Sequence, residues 1–126
     1  MNESKSKIQS FYKDKTIFIT GASGFMGKVL IEKLLYSCSD LNKIYILTRA
    51  KKGCSCDDRL EDIFKLSERY CDNVAIRGVF KKKRTSDIWS QSDHLISEVN
   101  IMFHCAASLR MNAKLKDAVE MNLVRY

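Results

Sequence analysis

Three glycines, Gly21, Gly24 and Gly27, recur with GxxGxxG spacing inside the stretch Thr16–Leu35, TIFITGASGFMGKVLIEKLL. Glycine at this spacing suits close backbone contact with a phosphate. At Gly21 a chain leaving a strand would turn tightly, where a Cβ would clash. Gly24 would bring backbone N–H groups near a pyrophosphate, and Gly27 would let the next helix pack closely on the strand. That helix would aim unpaired N–H groups and its positive dipole end at the same anion. An ordinary glycine turn is the alternative reading. Against it stands the context, a strand before the turn and a helix after it.

Two further groups could take part. Leu47-Thr48-Arg49-Ala50-Lys51-Lys52 falls where binders of NAD carry an acid for the ribose hydroxyls, about 20 residues past the glycines. It holds three bases and no acid. Arg49, with Lys51 or Lys52, would suit the 2′-phosphate of NADP(H) through charge-assisted pairing; a solvated basic loop is the bland alternative. Farther on, His104-Cys105-Ala106-Ala107-Ser108 closes an apolar run. Small residues at the carboxyl end of a parallel strand let a cofactor approach the backbone. His104 would be a base there, or a residue satisfying a local hydrogen bond. Asn122 interrupts an apolar helical face, either as partner to a backbone group or as part of a site.

These residues need strands and helices to position them. Thr16–Thr20 reads as a buried strand. The helix after the turn should bury Val29, Leu30, Leu34 and Leu35, expose Lys28, Glu32 and Lys33, and fade near Ser37–Asp40. Lys43–Thr48 is a second strand, parallel to the first by the βαβ rule. Asp57–Tyr70 patterns as a helix with Leu60, Ile63, Phe64 and Leu66 apolar and Asp58, Arg59, Glu61 and Asp62 exposed. Val74-Ala75-Ile76 is a short third strand, Ser90–Ser97 a helix led by Trp89, Val99–His104 a fourth strand and Leu115–Tyr126 a last helix. Residues 1–15 read as a polar leader in which Phe11 and Tyr12 pack near the first strand. Lys81–Arg84 reads as a solvated basic loop.

Composition sets the bounds. The chain has 126 residues, 45% of them hydrophobic, which is room for one small packed domain. Its net charge of +7 favours anionic partners such as nucleotides. No aromatic-rich basic motif points to nucleic acid. No apolar run approaches a membrane span and no secretory leader is visible, so the reading is a cytoplasmic chain without a membrane segment. Five cysteines, an odd count, read as reduced thiols. Cys54-Ser55-Cys56 lacks a second pair at zinc spacing, so no metal site is expected.

Taken together, FYKDKTIFITGASGFMGKVLIEKLL, KIYILTRAKKG, LISEVNIMFHCAASLRM and LKDAVEMN resemble the N-terminal domain of the fatty acyl-CoA reductases. That family is similar to the extended short-chain dehydrogenase/reductases. The TGxxGFxG turn alone would indicate only the superfamily; its pairing with the later blocks is more specific. The resemblance implies a Rossmann fold, NADPH as cofactor, and reduction of a long-chain fatty acyl-CoA to a primary alcohol through an aldehyde. By matching position it implies that Thr20, Gly21, Ser23, Gly24, Phe25, Met26 and Gly27 form the pyrophosphate turn. Arg49 matches the basic residue after the second strand, and Cys105, Ala106 and Ala107 the segment lining the cofactor. Asn122 matches a helix asparagine that supports proton relay. Full-length members are associated with the endoplasmic reticulum or peroxisome.

The chain also departs from that family. The catalytic YxxxK motif is absent: Tyr12, Tyr36, Tyr45 and Tyr70 are followed four places on by Thr16, Asp40, Arg49 and Val74. Without the tyrosine no side chain protonates the carbonyl oxygen as hydride arrives. Gly78-Val79 replaces a Gly-Asp beside the adenine, residues 65–80 are shortened, and Leu123-Val124-Arg125-Tyr126 replaces Val-x-Gly-Thr. The expectation is therefore an α/β, Rossmann-like parallel sheet with flanking helices over residues 16–126. It is incomplete, with about four strands in the order 3-2-1-4. Such a sheet leaves an open edge that favours homo- or hetero-association. The expected role is the N-terminal part of a fatty acyl-CoA reductase that is inactive by itself. A non-catalytic NADP-binding module, or a fragment of another extended short-chain reductase, is the alternative.

Overall fold

Four extended runs pair side by side in the computed structural model, which describes residues 6–48, 53, 55–70, 74–80, 93–107, 111–120 and 122. They are β1 (Thr16–Thr20), β2 (Lys43–Thr48), β3 (Ala75–Phe80) and β4 (Ile101–His104). All pair in parallel, in the order β3-β2-β1-β4, as the sequence led us to expect. Parallel neighbours need crossovers, and α2 (Phe25–Ser37) and α3 (Cys56–Tyr70) supply the first two. Helix α1 (Lys7–Tyr12) precedes β1, residues 93–98 form α4 ahead of β4, and α5 (Leu115–Val119) follows β4.

The core lies on one face of the sheet. Ile17 and Ile19 share that face with their register partners Ile44 and Ile46. All four are fully buried and join Ile31, Leu34 and Leu35 of α2 and Ile63 of α3 in one cluster. Each such side chain contributes about 1.5–3 kcal/mol on burial, so this face holds both helices to the sheet. The buried stripe of α2 is Gly27, Ile31, Leu34 and Leu35. Val29, expected inside, is 46% exposed. Gly27 faces inward, and two residues on the helix has turned roughly 200°, which carries Val29 outward.

Other expectations change in detail. The stretch read as a polar leader contains α1, started by a reciprocal capping box between Ser6 and Gln9. Gln9 Nε2 also donates to the Ser37 carbonyl at 3.1 Å, tying α1 to the end of α2. Tyr12 packs against the core as expected, but Phe11 stays largely exposed and meets the Tyr12 ring edge-on. Strand β3 runs well past Ile76, because β2 offers backbone partners as far as Thr48, opposite Phe80. Strand β4 starts later than expected: the Val99 amide closes α4 on Leu95, and the Asn100 amide donates to the Thr16 carbonyl. In α5 Leu115 is exposed rather than packed. Lys81–Arg84, Trp89 and Leu123–Tyr126 lie outside the described residues.

The amino ends of the strands are closed by polar contacts. Thr16 N–H donates to Asn100 Oδ1 at 2.9 Å, and Asn42 Nδ2 donates to Thr16 Oγ1 at 3.0 Å. On the sheet face opposite the core, Tyr45 Oη donates to Glu98 Oε2 of α4 at 2.6 Å, and Lys43 Nζ reaches the same oxygen at 3.2 Å. The Tyr45 hydroxyl first, and Lys43 second, hold the Glu98 carboxyl below the usual glutamate range, while the bond to Glu98 raises the Tyr45 phenol. A depressed carboxyl favours the fold once it is ionised in both states. Its contribution is full above the unfolded glutamate range, about pH 4–5, and is lost as pH falls through the lowered value. Glu98→Gln should therefore lower the thermal midpoint at pH 7 and flatten its fall between about pH 5 and pH 3. Melting curves across that range check this.

Candidate functional site

At the opposite end of the sheet, β1 ends at Thr20 and the chain turns at Gly21 with φ +67. This left-handed conformation disfavours any side chain. A Cβ on Gly21 would also lie 2.6 Å from both the Ala106 nitrogen and the Cys105 carbonyl carbon. Gly21 therefore packs directly on the chain leaving β4. Gly27 is equally constrained: a Cβ there would overlap the Gly21 carbonyl oxygen and sit 2.6 Å from Ala22 Cα. Gly24 caps α2 instead. Its N–H donates to Gly21 O at 3.1 Å, and its carbonyl accepts from Lys28 N–H at 3.0 Å.

The start of α2 has the electrostatics of an anion site. No side chain caps it, and its first turn carries no acid. The first-turn N–H groups and positive dipole end are thus not neutralised by an acid or a side-chain cap. Phe25 and Met26, at the mouth of the turn, are 81% and 67% exposed. Cys105, Ala106 and Ala107 run alongside: the Cys105 amide donates to the Thr20 carbonyl at 3.1 Å, and Ala107 is exposed. His104 Nδ1 lies 2.6 Å from Thr20 Oγ1. The turn, the helix start and the β4 exit thus form one cradle, with small residues where a bulky group would need space.

Periodicity puts Arg59 on the exposed side of α3, yet its Nη2 donates to the Ser23 hydroxyl inside the turn. The sequence signal was Ser55-x-x-Asp58. Ser55 N–H and Oγ–H donate to Asp58 Oδ2 at 3.2 and 2.8 Å, and the Asp58 amide returns a bond to Ser55 Oγ. This box fixes the first turn of α3, and Arg59 is the next residue. The Ser55 hydroxyl, then its amide, hold the Asp58 carboxyl below the ordinary aspartate range. Arg49, Lys51 and Lys52 lie outside the described residues. Asn122 is exposed just past α5. Among the described residues no group of three or more His, Cys, Asp or Glu could hold a metal, and no helix is long and apolar enough to cross a membrane.

A parallel sheet in this order, with a glycine turn feeding an uncapped helix at its carboxyl end, defines a nucleotide-binding domain of Rossmann type. The chain belongs to the Male sterility protein family of NAD-binding domains, whose pattern matches residues 19–124. It is 38% identical to fatty acyl-CoA reductase 1 of Rattus norvegicus, over 93% of this chain and 25% of that protein. It is 41% identical to fatty acyl-CoA reductase 2 of Bos taurus, over 94% of this chain and 25% of that protein. The chain thus spans about a quarter of the length of the curated relatives it matches. Solved structures share its fold. The terminal R domain from the myxalamid PKS-NRPS biosynthetic pathway superposes with a TM-score of 0.59 at 21% identity, over 85% of this chain and 28% of that one. The NADPH-bound carbonyl reductase from chicken fatty liver gives 0.51 at 21% identity, over 86% and 42%.

The glycines yield a test of the cradle's packing. Gly53 also has a positive φ, +82, but a Cβ there meets nothing within 4 Å. Gly53→Ala should cost only the left-handed penalty, about 1–2 kcal/mol. Gly21→Ala adds backbone overlap with the β4 exit and should cost clearly more, about 3 kcal/mol or beyond. Denaturant titrations of the two variants compare them directly.

Proposed function

We propose that this chain is the cofactor-holding, N-terminal part of an NADPH-dependent fatty acyl-CoA reductase, acting on a long-chain fatty acyl-CoA. The observation that carries the reading is the cradle of Gly21, Gly24 and Gly27 against Cys105–Ala107. Its helix start carries neither a side-chain cap nor an acid, which suits a pyrophosphate, and the relatives' names supply the substrate class. When bound, the nicotinamide supplies hydride. Thr20, Ser23, Phe25 and Met26 would shape the turn, Arg49 would pair with the 2′-phosphate, and Asn122 would support proton relay. Arg59 supports the hold on an anionic cofactor, because it sets a permanent cation against Ser23 of the turn. No YxxxK occurs in these 126 residues, so the chain alone binds cofactor without reducing a thioester.

A second reading rests on the sheet's edge. Strand β4 is at one end of the order β3-β2-β1-β4, and its outer edge would accept a strand from another copy or from a full-length reductase. In that role the chain is a cytoplasmic, non-catalytic nucleotide-binding partner. Size-exclusion profiles with and without a full-length reductase separate it from the first reading.

Fluorescence titration of the purified 126-residue chain is the primary test. NADPH should bind saturably and about tenfold or more tighter than NADH, a ratio that one charge-assisted pair can supply. Arg49→Ala should reduce that ratio by about tenfold and leave NADH affinity nearly unchanged, whereas Arg59→Ala should weaken both cofactors. Incubation with a long-chain acyl-CoA and NADPH should yield neither aldehyde nor alcohol. Equal affinity for the two cofactors would sink the NADPH assignment, and product formation would sink the inactive-chain assignment.

A further inference from the structure

We infer that His104 is a positioning residue for the glycine turn, acting through Thr20. The inference rests on the cofactor reading above. Thr20 and His104 are register partners at the carboxyl ends of β1 and β4. Their side chains meet at 2.6 Å, Thr20 Oγ1 to His104 Nδ1, and a hydroxyl can pair with this nitrogen in either imidazole tautomer. Thr20 is 1% exposed, so its hydroxyl cannot turn to water for a replacement. The backbone repeats the link, since the Cys105 amide donates to the Thr20 carbonyl. Gly21, the next residue, lies against the Cys105–Ala106 peptide.

The last residue before the turn is therefore pinned to β4 twice, once through its carbonyl and once through its hydroxyl. The backbone bond fixes how far β1 and β4 stand apart. The side-chain bond fixes rotation about the strand end, which sets where the N–H groups after Gly21 aim. His104 has no need to touch the dinucleotide to affect its affinity. This also accounts for a titratable, hydrogen-bonding ring at a strand end that otherwise continues in small residues, Cys105, Ala106 and Ala107.

A double-mutant cycle tests the role, with NADPH affinity read by fluorescence and folding by thermal melts. His104→Ala and Thr20→Val should each weaken NADPH binding about tenfold. The double variant should be no weaker than either single one, because both remove the same bond. His104→Asn, which keeps a polar atom near the Nδ1 position, should recover most of the affinity. A purely structural role would lower the melting temperature and leave the affinity of the folded protein unchanged; that result overturns the inference, as does additivity in the double variant. Should His104→Ala not fold, Thr20→Ser must bind like wild type and Thr20→Val must not, and any other pattern overturns it. Failure of the wild-type chain to bind NADPH would remove the cofactor reading and this role together. Equal binding by wild type and His104→Ala removes the role of His104 alone.

Discussion

Gly21 lies with its Cα against the Cys105–Ala106 peptide, and that contact leaves no room for a side chain. Two parts of the chain more than eighty residues apart are set by it. On one side it fixes how β1 gives way to the turn. On the other it fixes where the chain goes after β4. Gly27 then packs on the Gly21 carbonyl and on Ala22, so α2 leaves the turn at a set angle. That angle lays Ile31, Leu34 and Leu35 on Ile17 and Ile19. These two close backbone contacts shape the cradle and leave α2 lying on the core. This is why the glycine spacing is so informative: two of its members answer to sterics inside the protein before any ligand is considered.

The two ends of the sheet are built on different principles. The amino end is closed by Asn42, Asn100 and Thr16, and by the Lys43–Tyr45–Glu98 group that fastens α4. Its polar atoms are spent on one another. The carboxyl end leaves its first-turn N–H groups without a side-chain cap and its residues small. Parallel strands favour this division, because their helices begin where the strands end and present their positive poles there. A Tyr–Lys pair exists in the chain, Tyr45 with Lys43, but it sits at the closed end. There its hydroxyl is donated to Glu98, so it has no part in chemistry at the cradle.

The sequence was most legible where steric rules act over short range. GxxGxxG between a β-branched run and an amphipathic run placed β1, the turn and α2, and two crossovers made the sheet order predictable. Legibility fell where a partner elsewhere in the chain decided the outcome. Val29 and Ile31 are equally apolar, and only the inward direction of Gly27 tells them apart. The extent of β3 was set by β2, since AIRGVF carries an arginine and a glycine that argue against a strand. Helix α1 was legible in principle, from Ser6-x-x-Gln9. Arg59 was not placed by periodicity at all, because an amphipathic pattern gives a residue's side of the helix and not its reach.

Arg59 also bears on the charge of the region after β2. The first acids downstream of β2 are Asp57 and Asp58, in the opening turn of α3. Acids there are expected on helix grounds alone, since they complement the dipole. Asp58 is engaged by both the amide and the hydroxyl of Ser55, which stabilise its ionised form. Through Oδ2 this carboxylate caps its own helix. The residue immediately after it is the cation that reaches Ser23. The acid in this corner thus serves the fold, and the charge that reaches the turn is positive.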